Sequence, residues 1–125
     1  MNIIMPYGTR TEAAEAPWLQ HADTWDIGDA PPLPDITAAA RAGFACPIGQ
    51  PSPLAARLHA GERVAIIVSD SFRHTAIDKV LPELLHLLNH QGIPDENILF
   101  VVATGTHRGP TPEEMAHILG AEIYK

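Results

Sequence analysis

Two apolar runs of matching length dominate this chain of 125 residues, and each ends in a polar loop. The first is Arg63-Val-Ala-Ile-Ile-Val-Ser69 and the second is Asn97-Ile-Leu-Phe-Val-Val-Ala103. Both are continuous and rich in β-branched residues, the pattern of a strand buried on both faces of a parallel sheet. Between them, about Ala76 to Gln91, a stripe of Ile77, Val80, Leu81, Leu84, Leu85, Leu87 and Leu88 falls at helical spacing. Pro82 inside that stretch should kink or restart the helix, and Gly92 should close it. After the second run, Thr111-Pro-Glu-Glu114 spells a capping box with proline at the first helical position, opening a helix that Gly120 ends. Strand, loop, helix, strand, loop, helix defines a βαβ unit and hence an α/β fold with a parallel, Rossmann-like sheet.

The upstream half is richer in proline and glycine and gives weaker signals. Asn2-Ile-Ile-Met5 reads as a short strand ended by Pro6-Tyr7-Gly8. Between Thr9 and Pro34, Trp18-Leu19 and Thr24-Trp25-Asp26-Ile27 are candidate strand pieces, and Pro31-Pro32-Leu33-Pro34 is a stiff loop. Asp35 suits the N-cap of a helix through Ala42, ended by Gly43. Ser52-Pro53 should start another, Leu54 to His59, that stops at Gly61. The expected division is a loop-rich segment, 1–60, and a core, 61–125, of one domain.

Composition narrows the function classes. The formal net charge is −7, so the basic footprint of a nucleic-acid binder is missing. The single cysteine, Cys46, allows no internal disulfide and fits a reducing compartment. No apolar run approaches the roughly 20 residues of a membrane helix, so the expected location is the cytoplasm.

The two polar loops leave the carboxyl ends of their strands, the edge where open α/β sheets bind ligands. The first presents Asp70 and Arg73 among Ser69, Ser71, His74 and Thr75. An arginine there can clamp a carboxylate or phosphate, although the same pair equally suits a helix cap and a surface ion pair. The second presents Thr104, Thr106, His107 and Arg108 around Gly105. A histidine at a strand's carboxyl end suits general acid/base work near neutral pH; the plain alternative is a loop residue bonded to carbonyls. Gly105 completes neither a dinucleotide nor a P-loop fingerprint. His86 and His90 stand four apart on the central helix without an HExxH pattern and read as a solvated face. Trp18 and Trp25 read as core or interface residues.

Two segments together resemble the nickel-dependent lactate racemase family. Val68-Ser69-Asp70-Ser71-Phe72-Arg73 is similar to the family's V-S-D-x-x-R-P loop, and Val102-Ala103-Thr104-Gly105-Thr106-His107-Arg108 to its A-x-G-T-H-R loop. The resemblance is strong from about Gly61 to Lys125, and Tyr7-Gly8 and Ala45-Cys46-Pro47-Ile48-Gly49 echo it upstream. It implies the N-terminal portion of a two-domain racemase or epimerase that uses a nickel pincer nucleotide, a pyridinium bisthiocarboxylate mononucleotide carrying nickel. In such enzymes a hydride leaves the Cα of a 2-hydroxy acid and returns on the other face, while two histidines exchange the hydroxyl proton. By this match His107 is one catalytic histidine. Asp70, Ser71, Phe72 and Arg73 contact the cofactor, Asp70 and Arg73 also contact the substrate, and Arg73 takes its carboxylate.

The family's second histidine, its cofactor-linked lysine and its nickel-ligating histidine belong to later motifs. They are not in this sequence, which ends at Ile123-Tyr124-Lys125. The expected partners are therefore a small 2-hydroxy acid and a C-terminal remainder of the same protein, with no metal ligand supplied here. Phe72 and His74 stand where the lactate enzymes usually carry threonine and proline, so a different 2-hydroxy acid, or a related epimerisation, fits as well as lactate. A stand-alone α/β module binding a nucleotide or small acid, or an accessory protein of cofactor assembly, are the competing readings.

Overall fold

The computed structural model describes residues 2–18, 23, 25, 27–73 and 75–125, which fall into two compact units, Met1–Pro32 and Leu33–Lys125. In the first unit, β1 (Asn2–Tyr7) pairs antiparallel with β2 (Arg10–Glu15) in a register that sets Tyr7 opposite Arg10. Only Gly8 and Thr9 connect them, and Gly8 sits at φ 62°, the left-handed conformation a tight hairpin turn requires. The Arg10 guanidinium lies 5.5 Å from the Tyr7 ring centroid, an added clasp across that turn. β2 reads Arg-Thr-Glu-Ala-Ala-Glu and is exposed throughout. It has no apolar alternation, which is why the sequence pattern gave no strand there. The expected strand pieces at Trp18-Leu19 and Thr24–Ile27 include Leu19, Thr24 and Asp26, which lie outside the described residues. Trp18 and Trp25 are 78% and 92% exposed, so neither is a core residue.

The second unit is α/β. α1 (Ile36–Ala45) begins where Asp35 accepts the Ala38 N–H at 2.9 Å, as the cap pattern predicts. It runs through Gly43 and ends where the Cys46 N–H reaches Ala42 O at 2.9 Å. The helix expected over 54–59 is shorter, a 3₁₀ turn of Leu54–Arg57. Leu58 is already extended, and beyond it the Glu62 carboxylate meets both the backbone N–H and the Nδ1 of His59, each at 2.9 Å.

β3 (Val64–Ser69) and β4 (Ile98–Ala103) run parallel, with Val64 opposite Ile98 and Ser69 opposite Ala103. Their connection passes through Ala76 at φ 51° and a 3₁₀ turn, Ile77–Lys79, before α2 (Leu81–His90). Pro82 starts this helix and does not kink it, because a first-turn residue has no backbone donor to lose. At the far end Gly92, at φ 80°, donates to Asn89 O at 2.9 Å and Ile93 donates to Leu88 O at 3.1 Å. These are the two bonds of a Schellman stop, and Leu88 and Ile93 bury themselves against it. α1 is tied to α2 by Arg41 and Glu83, at 2.6 and 3.0 Å.

α3 (Pro112–Leu119) opens with the predicted capping box, Thr111 and Glu114 serving each other's backbone N–H. The core gathers Val68 from β3, Leu81 from α2, and Ile118 and Leu119 from α3, with Ile66, Phe100 and Val102 packed against it. Burial of a residue like Leu81, 0% exposed, contributes about 1.5–3 kcal/mol. All of this lies on one face of the sheet. The other face, with Ala65, Ile67, Leu99 and Val101, is exposed, so the expectation of strands buried on both sides is corrected. Helices α2 and α3 cover only the side on which alternate residues point inward. Among the described residues no helix is long and apolar enough to cross a membrane.

Candidate functional site

Because β3 and β4 are parallel and in register, the loops after Ser69 and Ala103 emerge side by side at the carboxyl edge. The first loop turns at once. The Arg73 N–H donates to Asp70 O at 3.2 Å, and the Phe72 N–H donates to Asp70 Oδ1 at 3.3 Å. That is the self-bonded turn aspartate favours, and it folds the carboxylate inward to 3% exposure. The second loop turns through Gly105 at φ 57°, with the His107 N–H donating to Thr104 O at 2.9 Å. This turn carries the imidazole back to the first loop.

The result is a pair joined across 37 positions of sequence: His107 Nδ1 lies 2.5 Å from Asp70 Oδ2. The Phe72 ring closes over the same imidazole, centroids 4.5 Å apart and planes tilted by 51°. The Asp70 carboxyl is held below the ordinary aspartate range, first by the bond to His107. Burial opposes that shift; the Phe72 N–H and the charges of His107 and Arg73 add to it. Asp70 is the enclosed partner and His107 the accessible one, with side chains 4% and 46% exposed.

Arg73 is exposed beside the pair and lines a cleft of about 260 Å³ with Ser69, Asp70, Thr75, Lys79 and Ile118. His107 is not part of that lining; Asp70 both lines the cleft and bonds the imidazole. Arg108 is committed elsewhere. It grips Glu114 at 2.7 and 2.8 Å and donates to Gly109 O at 2.9 Å. Glu114 is pushed down to about 2, by Arg108 first, then by the Thr111 N–H against burial, with help from the Ser71 hydroxyl.

Of the residues singled out from sequence, the fold brings Asp70, Phe72 and His107 together and sets Arg73 on the open edge next to them. Ser71 lines the same cleft as Arg73, and His74 lies outside the described residues. Sequence reasoning did not find the Asp70–His107 bond, the Phe72 ring against His107, or Glu114 as the anchor of Arg108. The one available signal was that both loops leave neighbouring parallel strands. His86 and His90 are exposed, with ring centroids 6.4 Å apart. Among the described residues no three His, Cys, Asp or Glu side chains converge as a metal would need.

A buried carboxylate holding an accessible histidine, with an arginine alongside, thus stands at the carboxyl ends of parallel strands, the edge at which α/β domains bind ligands. A family model, the lactate racemase N-terminal domain, matches residues 7–125, and the chain belongs to that family. A comparison with curated proteins finds no match.

Proposed function

We propose that this chain forms the N-terminal part of a racemase or epimerase of 2-hydroxy acids, in which His107 exchanges the substrate's hydroxyl proton. The observation that carries the reading is the Asp70–His107 bond beside exposed Arg73 at the sheet's ligand edge. The family points to a nickel pincer nucleotide as the cofactor. The side chains here fit its organic part: Arg73 offers a cation to a phosphate or carboxylate, and Phe72, 60% exposed, offers a ring face to a planar group. By the family resemblance, the nickel donors would come from a C-terminal part of the same protein. When bound, the cofactor supplies acceptance and return of a hydride at the substrate Cα.

The residues of this chain do the rest. A 2-hydroxy acid loses hydride readily only as its hydroxyl proton is removed, and a neutral imidazole can take that proton and later return it. Arg73 orients the acid through its carboxylate. Phe72 walls one side of the imidazole.

The test is steady-state kinetics on the cofactor-loaded enzyme. His107→Ala should keep fold and cofactor, checked by absorbance, and lose about 10²–10⁴-fold in turnover. A variant within about twofold of wild type, well short of that loss, would remove His107 from the mechanism.

A further inference from the structure

We propose that Asp70 is a positioning residue that fixes the tautomer of His107, so that Nε2 is the atom that exchanges the proton. The inference rests on the acid/base reading of His107 and deepens it. Sequence alone suggests Asp70 as a direct contact to cofactor and substrate. The geometry gives its carboxylate a different use.

Both oxygens of Asp70 are engaged within the protein. Oδ1 accepts the Phe72 N–H at 3.3 Å, and Oδ2 lies 2.5 Å from His107 Nδ1. The residue is 3% exposed, so an incoming ligand meets little of it. A carboxylate held below the ordinary aspartate range is an acceptor and cannot donate. The short contact then requires the hydrogen to sit on Nδ1, which leaves Nε2 with its lone pair when the ring is neutral. Two turns, Arg73 N–H to Asp70 O and His107 N–H to Thr104 O, hold the partners from both sides. Phe72 against the ring restrains its rotation.

The Phe72 N–H also fixes what a substitution would do. In Asp70→Asn the amide must place its oxygen toward that N–H, because an NH₂ there would meet a second donor. The NH₂ then faces Nδ1, which must become the acceptor, and the ring hydrogen moves to Nε2. Nε2 can then no longer take a proton. An isosteric change with no loss of packing thus reverses the tautomer.

The experiment has two arms. In the first, long-range ¹H–¹⁵N correlation spectra of this 125-residue chain, at alkaline pH where imidazoles are neutral, report the tautomer of His107. Wild type should show the Nδ1–H form, and folded Asp70→Asn the Nε2–H form. A wild-type ring in the Nε2–H form would overturn the proposal, and that measurement needs no variant. So would an Asp70→Asn ring that keeps the Nδ1–H form. In the second arm, the cofactor-loaded Asp70→Asn enzyme should lose about 10⁴-fold in kcat with KM and cofactor occupancy held. Loss of occupancy or a raised KM with kcat held would make Asp70 a ligand contact and overturn the positioning role. A reversed tautomer with normal turnover would overturn the proton-exchange reading of His107 while the tautomer assignment stands.

Discussion

Arg108 and Glu114 clasp each other through two side-chain bonds, 2.7 and 2.8 Å, across the turn that joins β4 to α3. The same carboxylate receives the Thr111 N–H at 2.8 Å, so one side chain serves the second site loop and the first turn of the helix. The arginine next to His107 is thereby a brace for the loop and is turned away from ligand duty.

That clasp makes acid stability specific to one residue. The folded pKa of Glu114, about 2, lies below its ordinary value of 4.5. Its contribution is therefore full above pH 4.5 and is lost as the pH falls toward 2. Thermal unfolding of wild type and Glu114→Gln should differ most above pH 5, and the two curves should converge as the pH drops through that window. A gap of constant size from pH 6 to pH 2 would show that the carboxylate charge is not what stabilises the turn.

Gly92 should resist substitution. An alanine there must adopt φ 80°, which costs an L-residue about 1–2 kcal/mol. Its Cβ would also lie 2.9 Å from the Ala60 Cβ. Urea unfolding of Gly92→Ala should show a loss above that range. Pairing it with Ala60→Gly should recover the clash portion and leave the backbone portion.

Leu81 joins the first loop's connection to the core and is 0% exposed. Leu81→Ala should cost about 2–5 kcal/mol in denaturant unfolding. A loss below about 1 kcal/mol would mean that Val68, Ile118 and Leu119 close over the gap, well short of the usual cavity cost.

Arg73 should behave differently from His107 in kinetics. A carboxylate clamp acts on bound substrate as well as on the transition state, so Arg73→Ala should raise KM and lower kcat/KM together. An unchanged KM with normal turnover would leave Arg73 as a surface residue only.

The parts legible in sequence were those set by local chemistry. The apolar runs of β3 and β4, the Asp35 cap and the Thr111–Glu114 box each carry their cause within a few residues. The β1–β2 hairpin escaped because exposed Arg10–Glu15 owes its strand to backbone pairing and the Gly8 turn. Exposure of Ile67 and Leu99 escaped because an apolar run does not state how many of its faces find a neighbour. At the site, the two loops could be named, yet the bond between Asp70 and His107 depends on strand register.

That register sets where the gene can change length. A strand advances about 3.3 Å per residue and turns its side chains over at each step. One residue deleted from β3 or β4 would displace Ser69 from Ala103 and pull Asp70 out of reach of His107. The exposed turn at Gly49-Gln50-Pro51 carries no such constraint, so insertions belong there. For this fold the two strands behave as a ruler whose length is read only at its end, by one hydrogen bond.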